Sequence, residues 1–324
     1  DLDIIYSEEI PLLELKKEGS TTTSASVLYD ILRKLESNTK IEISLQSTNK
    51  LKLVSGNSKF NLLCISADNF PLLDEDVEKK VFEVSSQQML KLLNKTKISI
   101  SSDETRHHLS GIYLHKTNSE NKSFLSAVAT DSHKLSFSSI EIESNADFES
   151  IILPKKTIFQ LISLLEQSTS TVKISNNKSK IKFEMDIGVL ISKVIDGIFP
   201  DYAQVIPRNN DKILKIKLEE FKNSIGIVNA VSQDPKKGLK MDISKDSLQL
   251  SVNDPNSADG VTIVNAKFDF NNMSISFNSR YLVDIASQIE NDSITINLKD
   301  AGSPVLIKDL SDKNSFHVVM PMKI

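Results

Sequence analysis

The chain has 324 residues, 39% hydrophobic and 25% charged, and a net charge of −4. That balance is globular and too long for one ordinary core, no apolar run approaches the roughly 20 residues that span a bilayer, and the acidic sum argues against a simple basic nucleic-acid coat. The single cysteine, Cys64, excludes an internal disulfide and a cysteine-built metal site and fits a reducing, cytoplasmic location.

The first predicted element is a helix on which Leu28, Ile31, Leu32 and Leu35 fall at i, i+3, i+4 and i+7, followed by strands at 40–45, 51–54 and 59–65 and then by Phe70 and Pro71. Cys64 lies in the last of these strands and reads as buried rather than nucleophilic. A second helix covers 85–96, with Met89, Leu92 and Leu93 on one face and a capping box between Ser85 and Gln88. Strands at 111–115, 125–129 and 135–142 follow it. The third helix repeats the first through Ile158, Leu161, Ile162 and Leu165, with strands at 172–174, 180–185 and 189–195 and then Phe199 and Pro200. Phe221, Ile225 and Val228 mark a fourth helix, a counterpart of the second, ahead of strands at 239–243, 248–252 and 261–270. The fifth repeats the first again through Leu282, Ile285, Ala286 and Ile289, with strands at 293–298, 305–307 and 316–320 and a final Met320 and Pro321.

Each stretch is therefore one helix followed by antiparallel strands, in two kinds that alternate as B, A, B, A, B. If a domain is an A half plus a B half, the expected domains are 1–79, 80–208 and 209–324, with polar breaks near Lys79 and Lys80 and at 207–211. The count opens on a B half, so the first domain is expected to lack roughly 50 to 65 residues of an A half. No secretory leader is expected, because the opening residues carry neither a basic nor an apolar region of that kind.

No zinc spacing, glycine-rich phosphate loop or nucleophile elbow occurs. Asp131, Ser132 and His133 tempt a hydrolase reading, but consecutive residues in a turn diverge, whereas a nucleophile and its base must converge. Arg106, His107 and His108 close a loop entering a strand, and Lys155 and Lys156 open a repeated helix. These read as solvated positions or, if they share a surface, as contacts to a polyanion. At the end of the chain, Val318 and Val319 are expected to finish an edge strand, with Met320, Pro321 and Met322 forming an adaptable apolar surface beyond it.

Several segments resemble the bacterial sliding clamps, the beta subunits of DNA polymerase III: residues 127–135 (AVATDSHKL), 196–202 (DGIFPDY), 109–112 (LSGI), 277–281 (FNSRY) and 319–322 (VMPM). The resemblance covers essentially the whole chain. It implies an α+β chain of three tandem clamp-fold copies, the first incomplete, with helices inside and antiparallel sheets outside. Two chains would close head to tail into a homodimeric ring around double-stranded DNA, with no catalysis, no cofactor and no metal. Its expected partners are the polymerase III catalytic subunit, the clamp-loader complex, and other polymerases and repair proteins that bind through short peptides. The competing reading is a repeat-built peptide-binding scaffold that does not act on DNA.

Carried over by position, the resemblance implies a peptide cleft of Leu109, Thr130, Ser132, His133, Lys134, Leu135, Pro200, Gln204, Val205, Val318, Val319, Met320, Pro321 and Met322, with Asn278 and Tyr281 at its rim. Ser132 stands where the family usually has Gly, Lys134 where it has Arg, Gln204 at a position often basic, and Lys236 where some members carry an aromatic residue. Arg106, His107, His108, Lys155 and Lys156 would face DNA, with Ser26 at another position that is often basic. Phe60 and Leu62 would meet Ala230 and Val231 across the dimer interface.

Overall fold

A computed structural model describes residues 3–47, 49–70, 77, 81–143, 148–231, 238–255 and 257–323. Pro71, Lys79, Lys80 and Lys236 lie outside them. The chain divides into two compact units, one of Glu9–Glu75 and one of Asp76–Ile324 with Asp3–Glu8 added.

After β1 (Ile4–Ser7), the elements among the described residues fall into five half-units, each a lead strand, a helix and three further strands. The first is β2 (Thr22–Thr23), α1 (Ala25–Leu32), β3 (Ile41–Ser47), β4 (Lys50–Ser55) and β5 (Ser58–Ile65). The second is β6 (Phe82–Ser85), α2 (Ser86–Lys97), β7 (Gly111–Ser119), β8 (Lys122–Thr130) and β9 (Lys134–Ile142). The third is β10 (Ile151–Pro154), α3 (Lys155–Leu165), β11 (Thr171–Asn176), β12 (Lys180–Met185) and β13 (Gly188–Lys193). The fourth is β14 (Lys212–Lys217), α4 (Leu218–Asn229), β15 (Gly238–Ile243), β16 (Ser247–Asn253) and β17 (Asp259–Lys267). The fifth is β18 (Met273–Asn278), α5 (Ser279–Ala286), β19 (Ser293–Leu298), β20 (Val305–Lys308) and β21 (Ser315–Val319).

All five helices and their trailing strands match the sequence pattern, and the capping box forms: Ser85 Oγ accepts the Gln88 N–H while the Gln88 side chain accepts the Ser85 N–H. The helices α1 and α5 stop at Leu32 and Ala286, short of Leu35 and Ile289, because their last turns tighten into i→i+3 bonds. Leu35 and Ile289 still reach their cores from those tightened turns.

The sequence pattern does not show the lead strands; β2 pairs with β5 of its own half-unit, and the other four bind half to half. β6 pairs with β11 and β10 with β7, while β14 pairs with β19 and β18 with β15. Loop carbonyls cap the helices that these strands feed. Ser170 accepts from the Ser86 N–H, Ser110 from Lys155 and Asp292 from Leu218, so the second and third half-units each satisfy an orphan donor of the other, and the fifth satisfies one of the fourth.

In the smaller unit the sheet order is β2-β5-β4-β3, with Leu51, Leu53, Leu62 and Cys64 buried against Leu28, Ile31 and Leu35. The larger unit holds a five-stranded sheet, β1-β13-β12-β11-β6, and a twelve-stranded one, β10-β7-β8-β9-β21-β20-β19-β14-β17-β16-β15-β18. β21 is therefore not the expected edge strand. It sits inside the large sheet, paired with β20 on one side and with β9 on the other.

Beneath that pairing lies a buried polar seam. Ser136 Oγ is 2.8 Å from His317 Nδ1 and 2.7 Å from Ser99 Oγ. Lys95, at the end of α2, places Nζ 3.1 Å from Glu290 Oε1 and 3.7 Å from Asp309 Oδ2, and also donates to the Gln288 carbonyl. Lys91 adds bonds of 3.1 Å to Glu290 and to Asp312. Lys91 and Glu290 are half-exposed, so the buried charges that depend on each other are Lys95 and Asp309, and removing either would leave the other poorly compensated.

Burial pushes the His317 imidazole down to about 3 and that of His115 to about 4. Both rings are neutral in the folded chain, whereas in the unfolded chain they take up protons near 6.5. Stability is therefore complete above that pH and falls as pH drops from about 6.5 toward 4, by about 1.4 kcal/mol per pH unit for each proton. Thermal melts between pH 8 and 4.5 are expected to show this decline, and His115→Gln to reduce its slope by about one proton.

Candidate functional site

The turn between β8 and β9 is built from its own side chains. Thr130 Oγ1 donates to the Lys134 carbonyl at 2.8 Å and accepts the Ser132 N–H at 3.1 Å. Asp131 Oδ1 accepts the N–H groups of His133 and Lys134 at 2.9 and 2.8 Å. The Asp131 carboxylate thus caps backbone rather than orienting the exposed His133 ring, which fits the turn reading over the hydrolase one. Ser132 sits at φ +78°, and its hydroxyl accepts a 2.8 Å bond from Arg106 Nη1. Arg106 also donates through Nε to Asp103 Oδ2 at 2.9 Å. The Thr105 hydroxyl and N–H, then Arg106, hold the Asp103 carboxyl below the usual carboxylate range.

β9 and β21 pair in the register Leu135↔Val318 and Lys134↔Val319, and beyond the strand the Met320 N–H donates to the His133 carbonyl at 2.8 Å. Further along, the Met322 N–H donates to the Ser276 carbonyl at 2.8 Å, so the segment Met320 to Met322 runs from the turn to β18. Leu109, Leu135 and Val318 are buried in one cluster with Val128, Phe199 and Leu306. They form an apolar floor. Val205 and Met320 stand at its margin, 49% and 41% exposed, beside exposed His133, Pro200 and Gln204.

Two expected cleft residues point elsewhere. Val319 alternates to the opposite face of β21 and is fully buried in the core of α4 and α5. The Lys134 side chain is also buried, with Nζ 3.0 Å from Asp284 Oδ2 and 4.5 Å above the Tyr281 ring. It ties β9 to α5 and offers no free charge to a ligand. Asn278 caps α5 by accepting the Arg280 N–H at 3.0 Å.

An aromatic stack supports the floor and is absent from the sequence reading. Phe199 stacks on Tyr113 at 4.9 Å, Tyr113 on His115 at 4.5 Å and Phe137 on Phe316 at 4.8 Å. His115 Nε2 lies 2.9 Å from the Tyr202 hydroxyl, which anchors the 3₁₀ turn Tyr202–Val205 to the sheet. The alternation of Tyr113 with His115 on β7 was the available signal.

The polar loop and α3 meet. His107–Leu109 form a 3₁₀ turn, and one residue on the Ser110 carbonyl accepts the Lys155 N–H at 3.1 Å. Arg106, exposed His107, half-buried His108 and exposed Lys155 and Lys156 thus belong to adjoining segments. Ser26 is exposed on α1. On β5, Phe60 and Leu62 turn toward the core of the smaller unit. Exposed Ala230 ends α4, and Val231 packs on Gly260 at the start of β17. Among the described residues β17 is paired along its length with β16, but with β14 only at Ala266 and Lys267, leaving an open edge over 259–264. No group of three or more metal-ligating side chains and no helix long and apolar enough to cross a membrane occurs among the described residues.

Models of the N-terminal, central and C-terminal domains of the DNA polymerase III beta subunit match residues 1–74, 83–201 and 203–323. The beta sliding clamp of Caulobacter vibrioides is 32% identical across all of this chain and 87% of its own length, and that of Escherichia coli 28% identical over the same shares. A solved sliding clamp of Bartonella birtlesii bound to griselimycin superposes with a TM-score of 0.96 at 34% identity, covering 100% of this chain and 87% of that one. A Pseudomonas aeruginosa clamp superposes at 0.93 with 27% identity.

Because Lys134 links two elements from within a buried site, Lys134→Ala is expected to cost about 1–3 kcal/mol, read as a lowered Tm by calorimetry.

Proposed function

The chain belongs to the beta sliding clamps of DNA polymerase III, and from that premise we propose how its parts divide the work of a clamp. As a member of this family it is a processivity factor rather than an enzyme, an α+β chain of clamp-fold copies. Two chains close head to tail around duplex DNA, and tethering raises the effective concentration of whatever binds the ring. We assign the domains to 1–79, 80–208 and 209–324, and the site of action to the bacterial cytoplasm.

The observation that carries the closure reading is a repeated strand joint. Val189 on β13 pairs with Ser7 of β1, and Phe316 on β21 pairs with Phe137 of β9. Val189 and Phe316 are equivalent, since each is third in a run of paired residues, Lys173↔Glu184↔Val189 and Thr295↔Lys308↔Phe316. β5 holds the place of β13 and β21 in the first half-unit, the last of its three trailing strands. Phe137 in turn lies two residues past the partner of the last residue of β8, and Val261 holds that position after β16. The open edge of β17 therefore takes β5 of a second chain. Ala230 and Val231 flank that joint.

Arg106, His107, His108, Lys155 and Lys156 contact phosphates in the hole without reading bases, so a net acidic chain suffices and sliding is not impeded. The apolar floor with Val205, Met320, Pro321 and His133 takes hydrophobic side chains of partner peptides. The griselimycin-bound relative supports a ligand site of this kind. Partners that fit the cleft are the polymerase III catalytic subunit, the clamp loader, and other polymerases and repair proteins.

Retention on closed circular DNA, with loss from the same DNA once linearised, is the expected result for a loaded ring. Equal loss from both would favour the scaffold reading. Deleting residues 320–324 is expected to abolish griselimycin binding while sedimentation still reports a dimer, whereas Val261→Asp should yield monomers with the cleft intact.

A further inference from the structure

The loop carrying Arg106 and the turn carrying Ser132 lie far apart in sequence, and one guanidinium joins them. Nη1 holds Ser132 Oγ, and Nε holds an Asp103 carboxylate that Thr105 Oγ1 and the Thr105 N–H fix in turn. At φ +78° Ser132 occupies the left-handed region, costly for a residue with a Cβ. Glycine would take this turn without strain and without the hydroxyl. In this chain the strain is retained together with a bond that glycine could not make. The strapped residues adjoin both surfaces: His133, next to Ser132, holds Met320 through its carbonyl, while His107 and the Ser110–Lys155 bond continue from Arg106 toward α3.

Resting on the reading of cleft and loop given above, we propose that Arg106 couples them: a DNA phosphate and Ser132 Oγ compete for one guanidinium, so duplex binding loosens the turn and weakens the cleft ligand. A phosphate oxygen is a stronger acceptor than a neutral hydroxyl, so it draws Arg106 away at low ionic strength. Screening reduces the effect as salt rises. Linkage makes the effect reciprocal: a ligand seated against the turn weakens the duplex by the same factor.

The test measures fluorescein-labelled griselimycin by polarisation on the full chain, without and with saturating duplex of about 30 base pairs, at low and high salt. At low salt the duplex is expected to weaken griselimycin by about three- to tenfold, and less at high salt. In Ser132→Gly and Ser132→Ala, the first removing strain and hydroxyl and the second the hydroxyl alone, the ratio is expected to fall to one whatever the absolute affinities. A wild-type ratio of one, with both ligands bound, overturns the coupling and leaves the clamp reading standing. An undiminished ratio in both variants overturns Ser132 as its route, and failure of either ligand to bind the wild type overturns the reading beneath it.

Discussion

The antiparallel pairing of β9 with β21 is the constraint on which the larger unit depends. It merges strands from residues 111–142 with strands from residues 293–319 into one sheet and fixes what each face receives. One face gets Leu135, Phe137, Phe316 and Val318, the other Ser136, His317 and Val319. A slip of one residue would exchange these sets, placing His317 in the floor of the cleft and Val318 in the polar seam. Buried polar groups tolerate such an exchange poorly, because His317 and Ser136 would each lose a partner. The seam thus specifies register more than it adds stability.

The character of the cleft follows from how its cations are used. Lys134 is committed to Asp284 and Tyr281, and Arg106 to Asp103 and Ser132. Gln204 is turned to Asp201 at 2.9 Å. What remains near the floor is apolar and half-exposed, and such a surface gains by covering side chains with few polar atoms to desolvate. The stack of Phe199, Tyr113 and His115 gives the 3₁₀ turn bearing Val205 a rigid footing, so the margin of the cleft is set by packed rings rather than by a free loop.

Much of this was legible in the sequence because the helices carry strong i, i+3, i+4 patterns and the trailing strands alternate cleanly. The lead strands were not, for a physical reason. Three of them, Thr22–Thr23, Phe82–Ser85 and Ile151–Pro154, are two to four residues long and run straight into helix caps, too short for a period to appear, whereas Lys212–Lys217 and Met273–Asn278 are six residues long and do alternate. The chain end misled in another way. An apolar strand next to a terminus suggests an edge, but β9, nearly two hundred residues earlier, closes that edge, and no local pattern encodes a partner so distant. The resemblance likewise named Lys134 and Val319 as cleft residues from position alone, while pleat direction and the Asp284 pair decide where those side chains go.

Repetition also lets one architecture carry two kinds of joint. Lys95 and Ile227 both stand ten residues past the N-cap of an A-half helix, Ser85 and Lys217. At the covalent joint that position holds the buried lysine of the seam; beside the open edge of β17 it holds an isoleucine 63% exposed, with Val261 and Ile263 also exposed. A joint within a chain is held by connectivity, so it tolerates an ion network whose net contribution is small. A joint between chains must overcome the loss of translational freedom on association, and burial of apolar surface is the interaction that grows with area to do so. The change from lysine to isoleucine at one repeated position follows that difference, which is why the open edge suits a second copy of the chain better than a polar ligand.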